Sequence, residues 1–212
     1  MKIFFNDVET TGFSEKKQDI IQIGALLTNK FTPIGEVNLK CQPIPENWKN
    51  ISSTALSINN ISKDQIKTYG TAKEAWEKYS RLLLKHYDGA KYVFGAQNAP
   101  FDRRFLSAWW NRNKTDDIEE FDFYFEKENL DLMAFSRAFK KEGILKIDNI
   151  QLKTVIKAHN IKVTGNLHDA LVDIKATGNC IYKSLKIVEA IQRDNPEHPI
   201  VKKFKKWNVL LS

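Results

Sequence analysis

Only two cysteines, Cys41 and Cys180, occur among the 212 residues. That is too few for a disulfide framework, and it points to a reducing compartment. Four histidines accompany them, but His159, His168 and the two thiols lack zinc-finger spacing, so no structural zinc is expected. Long apolar runs are absent as well. The opening MKIFFNDVETT is interrupted by Asp7 and Glu9 before it reaches the length of a secretory signal. The longest greasy segment, Ile20–Leu27, contains Gln22 and falls far short of a membrane span. A cytoplasmic (intracellular) protein with no membrane contact is expected. Neither a solenoid-length repeat nor a Gly/Ser- or Pro-rich linker is present. The expected organisation is one domain over residues 1–190 with a basic extension at 191–212, packed on the domain or trailing from it.

What is present is charge and aromatic content. Lys and Arg number 33 against 26 Asp and Glu, a net charge of +7, and such an excess suits an anionic partner such as nucleic acid. The plain alternative is a basic, soluble surface. With 42% hydrophobic and 11% aromatic residues, the chain has the makings of a globular core.

β-branched and aromatic runs at Lys2–Val8, Asp19–Asn29 and Gly35–Cys41, separated by turn residues, predict three consecutive antiparallel strands. Thr71 and Glu74 form a capping box, and Ala72, Ala75, Trp76, Tyr79, Leu82, Leu83 and His86 follow at helical spacing. Lys91–Ala96 predicts a strand, and Asp102–Trp110 a helix opening after Pro100. Further helices are expected at Leu130–Lys141, Asn149–His159 and from Asp169 to about Arg193. Residues 113–125 carry no clear pattern. Strands first and alternation afterwards describe an α/β fold around a mixed sheet.

Three acidic segments stand out. In Asp7-Val8-Glu9-Thr10-Thr11-Gly12, residues i and i+2 of a strand share one face, so both carboxylates project together. Like charges held that close call for a cation, and hard oxygen ligands suit Mg²⁺ or Mn²⁺; the alternative is the exposed face of an edge strand. In Gln97-Asn98-Ala99-Pro100-Phe101-Asp102, the aspartate falls where a strand's C-terminal end meets a helix, a common ligand position, although an Asp there also serves as a helix N-cap. In His168-Asp169-Ala170-Leu171-Val172-Asp173, a continuous helix would set His168 and Asp173 about 140° apart. With Asp169 as N-cap, His168 lies in the preceding loop and is free to swing. A satisfied histidine beside a solvated Asp is the alternative. Taken together, Asp7, Glu9, Asp102 and Asp173 supply four carboxylates and His168 a base. That set suits two-metal phosphodiester hydrolysis with ions roughly 3.5–4 Å apart.

The succession DVETTG, QNAPFD and HDALVD resembles the DEDDh group of DnaQ-like 3′–5′ exonucleases, over about residues 1 to 190. The resemblance implies a single-domain RNase H-like mixed sheet flanked by helices. It also implies release of 5′-mononucleotides from the 3′ end of DNA or RNA, with two Mg²⁺ or Mn²⁺ ions as cofactors. Asp7 would bridge both ions, Glu9 and Asp173 would help hold the one serving the attacking water, and Asp102 the other. His168 would take the proton from that water. Thr10, Thr11 and Gly12 would present backbone to the terminal nucleotide, with Phe13 near its base or sugar, and Asn59 matches the segment lining the 3′-nucleotide pocket; an Asn-Asn pair is equally an ordinary turn. Gln97 stands where many relatives have histidine, and Asn60 where many have glycine.

The substrate implied is a 3′ end of a single strand or frayed duplex, with a polymerase or a second copy as further partner candidates. A proofreading role in DNA repair belongs to the same group, although a freestanding nuclease is the preferred expectation. The competing class is a non-catalytic nucleic-acid-binding or polymerase-accessory module. Against it stand the clustered carboxylates, which repel phosphate unless metal is present. Arg103 and Arg104, beside Asp102, are expected to grip the strand and Trp109 and Trp110 to be core. The Lys- and aromatic-rich segment Pro199–Trp207 is expected either to bind a strand or to pack on the domain.

Overall fold

The computed structural model describes residues 1–211. Five strands form one mixed sheet: β1 (Lys2–Thr10), β2 (Ile20–Asn29), β3 (Thr32–Lys40), β4 (Tyr92–Ala96) and β5 (Phe125–Asp131), in the order β3-β2-β1-β4-β5. The first three are antiparallel neighbours, and β4 and β5 join in parallel. The helices are α1 (Ser53–Asn59), α2 (Lys63–Lys67), α3 (Ala72–Lys85), α4 (Ala99–Asn113), α5 (Leu132–Lys141), α6 (Leu152–Ala158), α7 (Ala170–Asp194) and α8 (Pro199–Phe204). Among the described residues no helix is long and apolar enough to cross a membrane.

The period-2 alternation of β1 sorts its side chains onto two cores. Phe4 and Val8 face α3 and α4, where Tyr79, Trp109 and Trp110 are buried. Ile3 and Phe5 face α5, α6 and α7. Asp7 and Glu9 continue that second face beyond the apolar residues, at the end of the strand. Asn6 points the other way and is fully buried; the Tyr79 hydroxyl donates to its Oδ1 at 2.7 Å, which satisfies a polar group that would be costly if left alone.

The predicted capping box opens α3: Glu74 N–H donates to Thr71 Oγ1 at 3.1 Å and Thr71 N–H to Glu74 Oε2 at 2.8 Å. The region expected to be helical from Leu130 instead begins as strand, because Phe125 and Leu130 bury their side chains while Glu126, Lys127 and Glu128 are exposed along the sheet edge. Charge on an edge strand discourages pairing with other chains. Helix α6 starts at Leu152 rather than at Asn149, and of residues 113–125 the first closes α4, the last opens β5, and 114–124 form a loop ending in a 3₁₀ turn at Phe121–Tyr124.

Gly24, opposite Asp7 in the β1–β2 register, sets the position of α7. A Cβ there would fall 2.2 Å from the Ala170 carbonyl carbon, so the first turn of α7 rests directly on the sheet backbone. Gly24→Ala forces backbone against backbone. We expect it to cost about 1–3 kcal/mol, several degrees in melting temperature at roughly 2–4 °C per kcal/mol for a domain of this size. A thermal melt of the variant beside the parent chain measures it.

Beyond α7 the chain returns to the same core. Ile200, Val201, Phe204, Trp207 and Leu210 are buried, and the Phe204 ring stacks on Phe135 of α5 at 3.9 Å between centroids. The lysines of this segment point outward, and Lys206 pairs with Glu128 on β5.

Candidate active site

Three carboxylates converge where β1 ends. Oxygens of Asp7, Glu9 and Asp173 lie within 4.8 Å of one another. Asp7 and Glu9 arrive by strand alternation. Asp173 arrives because Asp169, the N-cap of α7, accepts from Leu171 N–H at 3.1 Å and Val172 N–H at 3.3 Å and so starts the helix one residue after itself. The Asp169 carboxylate is in turn held across the sheet by Asn38 Nδ2 at 3.1 Å and Gln22 Nε2 at 3.3 Å. His168 lies just outside the helix at φ +75°, a left-handed conformation that non-glycine residues seldom take. There its own N–H donates to both Asp173 oxygens, at 3.3 and 3.2 Å. The histidine's main chain fixes the carboxylate while its ring lines the cleft.

Asp102 is not part of the three-carboxylate group. Helix α4 begins at Ala99, with Pro100 inside its first turn, so Asp102 lies past the N-cap, which is Asn98. Its Oδ1 accepts from Val8 N–H at 3.1 Å. Pairing of β1 with β4 runs only from Ile3 to Gly95, and Asp102 satisfies a buried strand donor that the sheet leaves open. It lines one cleft of roughly 440 Å³ together with Asp7, Glu9, His168 and Asp173. Ile58, Phe101 and Leu167 give that cleft apolar walls; Gln97, Asn98, Gln151 and Lys153 give it polar ones.

Burial and mutual repulsion distort the acids. Asp7 is driven well above the usual carboxylate range, first by burial and then by Asp102, Glu9 and Asp173. Glu9 is pushed up to about 8 by burial, with Asp173 and Asp102 adding to it. Asp102 rises to about 7, chiefly through burial, and Asp173 is raised by burial against the opposing hydrogen bond from His168. Buried carboxylates that strain against ionisation fit a divalent cation: they are hard oxygen donors, and a positive charge among them reverses the penalty.

The remaining sequence-derived residues lie at the end of β1, on the loop that follows it, and on α1 and α4. Thr11 is buried, and its N–H donates to Asp19 O at 2.8 Å while its carbonyl accepts from Ser52 N–H at 2.9 Å. Thr10 Oγ1 donates to Gly12 O at 2.6 Å. Asn59, 8% exposed, donates from Nδ2 to Thr10 O at 2.9 Å, so it braces the strand end from α1. Asn60 takes φ 54°, ψ 38° as the C-cap of α1, a left-handed position that Asn tolerates. Phe13 is 63% exposed. Arg103 does not reach into the cleft as a free cation: Asp122, the Glu126 carbonyl and Asn129 hold its guanidinium. Arg104 is paired with Glu15 at 2.8 Å.

Sequence patterns did not single out Asp19, which is buried at the base of this loop, accepts from Ile44 N–H and Asn47 Nδ2 at 3.0 Å each, and pairs with Arg112 at 2.7 Å. It lies in no motif, and only its place before an apolar strand hints at burial. Gln151 and Lys153 likewise had no signal beyond their eventual neighbours.

Among curated proteins, the PolC-type DNA polymerase III of Latilactobacillus sakei is 27% identical over 177 residues, which cover 84% of this chain and 11% of that protein. The PolC-type enzyme of Lactococcus lactis is 27% identical over 180 residues, 85% of this chain and 10% of that one. The chain therefore spans about a tenth of the length of these relatives. Among solved structures, E. coli Exonuclease I in complex with a dT13 oligonucleotide superposes with a TM-score of 0.69 at 21% identity, covering 91% of this chain and 42% of that one. A 3′-exonuclease, from a structure on 3′-end specific recognition of the histone mRNA stem-loop, gives 0.65 at 16% identity over 88% and 82%. At such identities these two show the shared fold. The model of the RNase T exonuclease family matches residues 4–180, a span that holds all four acids and His168, and the chain belongs to this family of DnaQ-like exonucleases.

Proposed function

We propose that the chain hydrolyses phosphodiester bonds one nucleotide at a time from the 3′ end of DNA or RNA, using two Mg²⁺ or Mn²⁺ ions. The observation that carries this reading is the convergence of Asp7, Glu9 and Asp173 within 4.8 Å, in a cleft that also holds Asp102 and His168. Asp7, Glu9, Asp102 and Asp173 are the residues that would hold the ions. When bound, the ions supply Lewis-acid activation of water and charge stabilisation at the phosphate and leaving oxygen. His168, on its loop beside Asp173, accepts the proton of the attacking water as general base. The segment Thr10–Phe13 with Asn59 receives the terminal nucleotide, and the exposed Phe13 ring abuts its base or sugar. We assign this action to the cell interior, where the thiols of Cys41 and Cys180 stay reduced.

The test is digestion of 3′- and 5′-labelled DNA and RNA oligonucleotides side by side with Mg²⁺, Mn²⁺ or chelator. Stepwise shortening from the 3′ end with release of 5′-mononucleotides is expected, abolished by chelation. A circular single strand should survive intact, since it offers no terminus; its efficient cleavage would show an endonuclease. A polymerase-associated proofreading role is favoured by the PolC-type relatives. It predicts that a mispaired 3′ end is removed faster than a paired one.

A further inference from the structure

Although the chain carries a net charge of +7, several cations on the elements that bear the site are spoken for. Arg103 is held by Asp122, Arg104 by Glu15, Arg112 by Asp19 and Lys175 by Glu36. Lys153 is the one Lys or Arg among the described residues that line the cleft. It forms no ion pair there, although four carboxylates line the same space. An ammonium and a set of acids that share a cleft without closing on one another leave room between them for a ligand that is anionic toward the lysine.

Helix α6 adds a direction. Leu152, Val155 and Ile156 are buried, whereas Lys153 and Lys157 are exposed. At i and i+4 they share one side of the helix, about 6 Å apart along its axis. Lys157 too lacks an ion-pair partner among the described residues. The two make a short cationic track leading out of the cleft.

Building on the exonuclease reading, we propose that Lys153 is a substrate-positioning residue that binds the phosphate next to the scissile one, and that Lys157 extends the track along the strand. The carboxylates at the end of β1, with their cations, take the scissile phosphate. Lys153 lines the same cleft, and the following phosphate passes it if the strand leaves along α6. Such a contact carries no base information, so it serves any sequence.

The experiment compares the parent chain with Lys153→Ala, Lys153→Arg and Lys157→Ala on a short 5′-labelled strand with Mn²⁺. A second strand is neutral, as methylphosphonate, only at the linkage next to the 3′-terminal one. Lys153→Ala is expected to raise KM roughly 5- to 10-fold, as suits loss of one charge-assisted contact, with kcat within about twofold. The slope of log affinity against log salt should fall by about 0.7, one single-strand phosphate contact. Lys153→Arg should restore KM, and Lys157→Ala should give a smaller rise. On the neutralised strand the parent chain should lose the same factor while Lys153→Ala loses no more. If the KM penalty of Lys153→Ala persists on that strand, or the defect is in kcat alone, the assignment is wrong. If the parent chain hydrolyses no strand, the exonuclease reading fails by itself. Lys153 is then decided by fluorescence anisotropy of the same strands in Ca²⁺: a reduced salt slope in Lys153→Ala supports the contact, and an unchanged slope overturns it.

Discussion

Asp7→Asn is expected to lower hydrolysis by about 10³-fold or more, because several kcal/mol of charge stabilisation at the reacting phosphate depend on the ions that this carboxylate would hold. The same substitution should make the metal-free protein more stable at neutral and alkaline pH. The sign follows from the raised values of Asp7 and Glu9. In the unfolded chain these acids ionise near 4, whereas in the fold Glu9 holds its proton up to about 8. Their contribution is therefore fully present below about pH 4 and is lost as pH rises through the folded values. Metal-free protein should melt progressively lower between about pH 4 and pH 8, with other groups superimposed. Divalent cation should restore the loss at the upper end, and Asp7→Asn should flatten the slope. Melting temperatures with and without chelator, taken beside rates, check both halves. Retained activity in Asp7→Asn at saturating Mg²⁺ and Mn²⁺ would sink the metal assignment.

The second large effect belongs to His168. His168→Ala is expected to cut kcat by roughly 10²–10⁴-fold, the usual share of a general base, while divalent-cation affinity changes little. The contact between His168 and Asp173 runs through the main-chain N–H, which alanine retains, at a left-handed backbone (φ +75°) that alanine adopts less readily than histidine. His168 is also absent from the group of carboxylates that approach one another within 4.8 Å. Calorimetric titration with Mn²⁺ alongside single-turnover rates separates the roles. Parallel loss of metal affinity and rate would make His168 a ligand instead, and the mechanism would need to be redrawn.

The parts of this site that could be read in the sequence are those that follow from local geometry. Alternation along β1 places Asp7 beside Glu9, and the N-cap at Asp169 lifts His168 out of α7. The alternatives set aside were long-range in origin. Asp102 looks like a cap on paper. It becomes a strand partner only because the pairing of β1 with β4 stops at Phe5 and Gly95 and leaves Val8 N–H open. Strand β5 was hidden because an edge strand with one apolar residue at each end, Phe125 and Leu130, and charges between shows neither period clearly. Arg103 looks free beside Asp102, yet its partners come from residues 122–129, a segment with no pattern of its own. Gly24 gives no signal at all until α7 is laid across it.

The return of the chain after α7 has a consequence for what counts as one folding unit. The family match closes at residue 180, inside α7, yet Phe135, Phe139, Leu185 and Val188 share one buried cluster with Ile200, Phe204, Trp207 and Leu210. A fragment cut at the edge of the family match would bare one side of that cluster, including the ring face of Phe135 that Phe204 covers. It would present water with the kind of contiguous apolar patch that drives self-association. The candidate site lies within the matched segment, but part of the cover over its apolar cluster comes from residues outside the match.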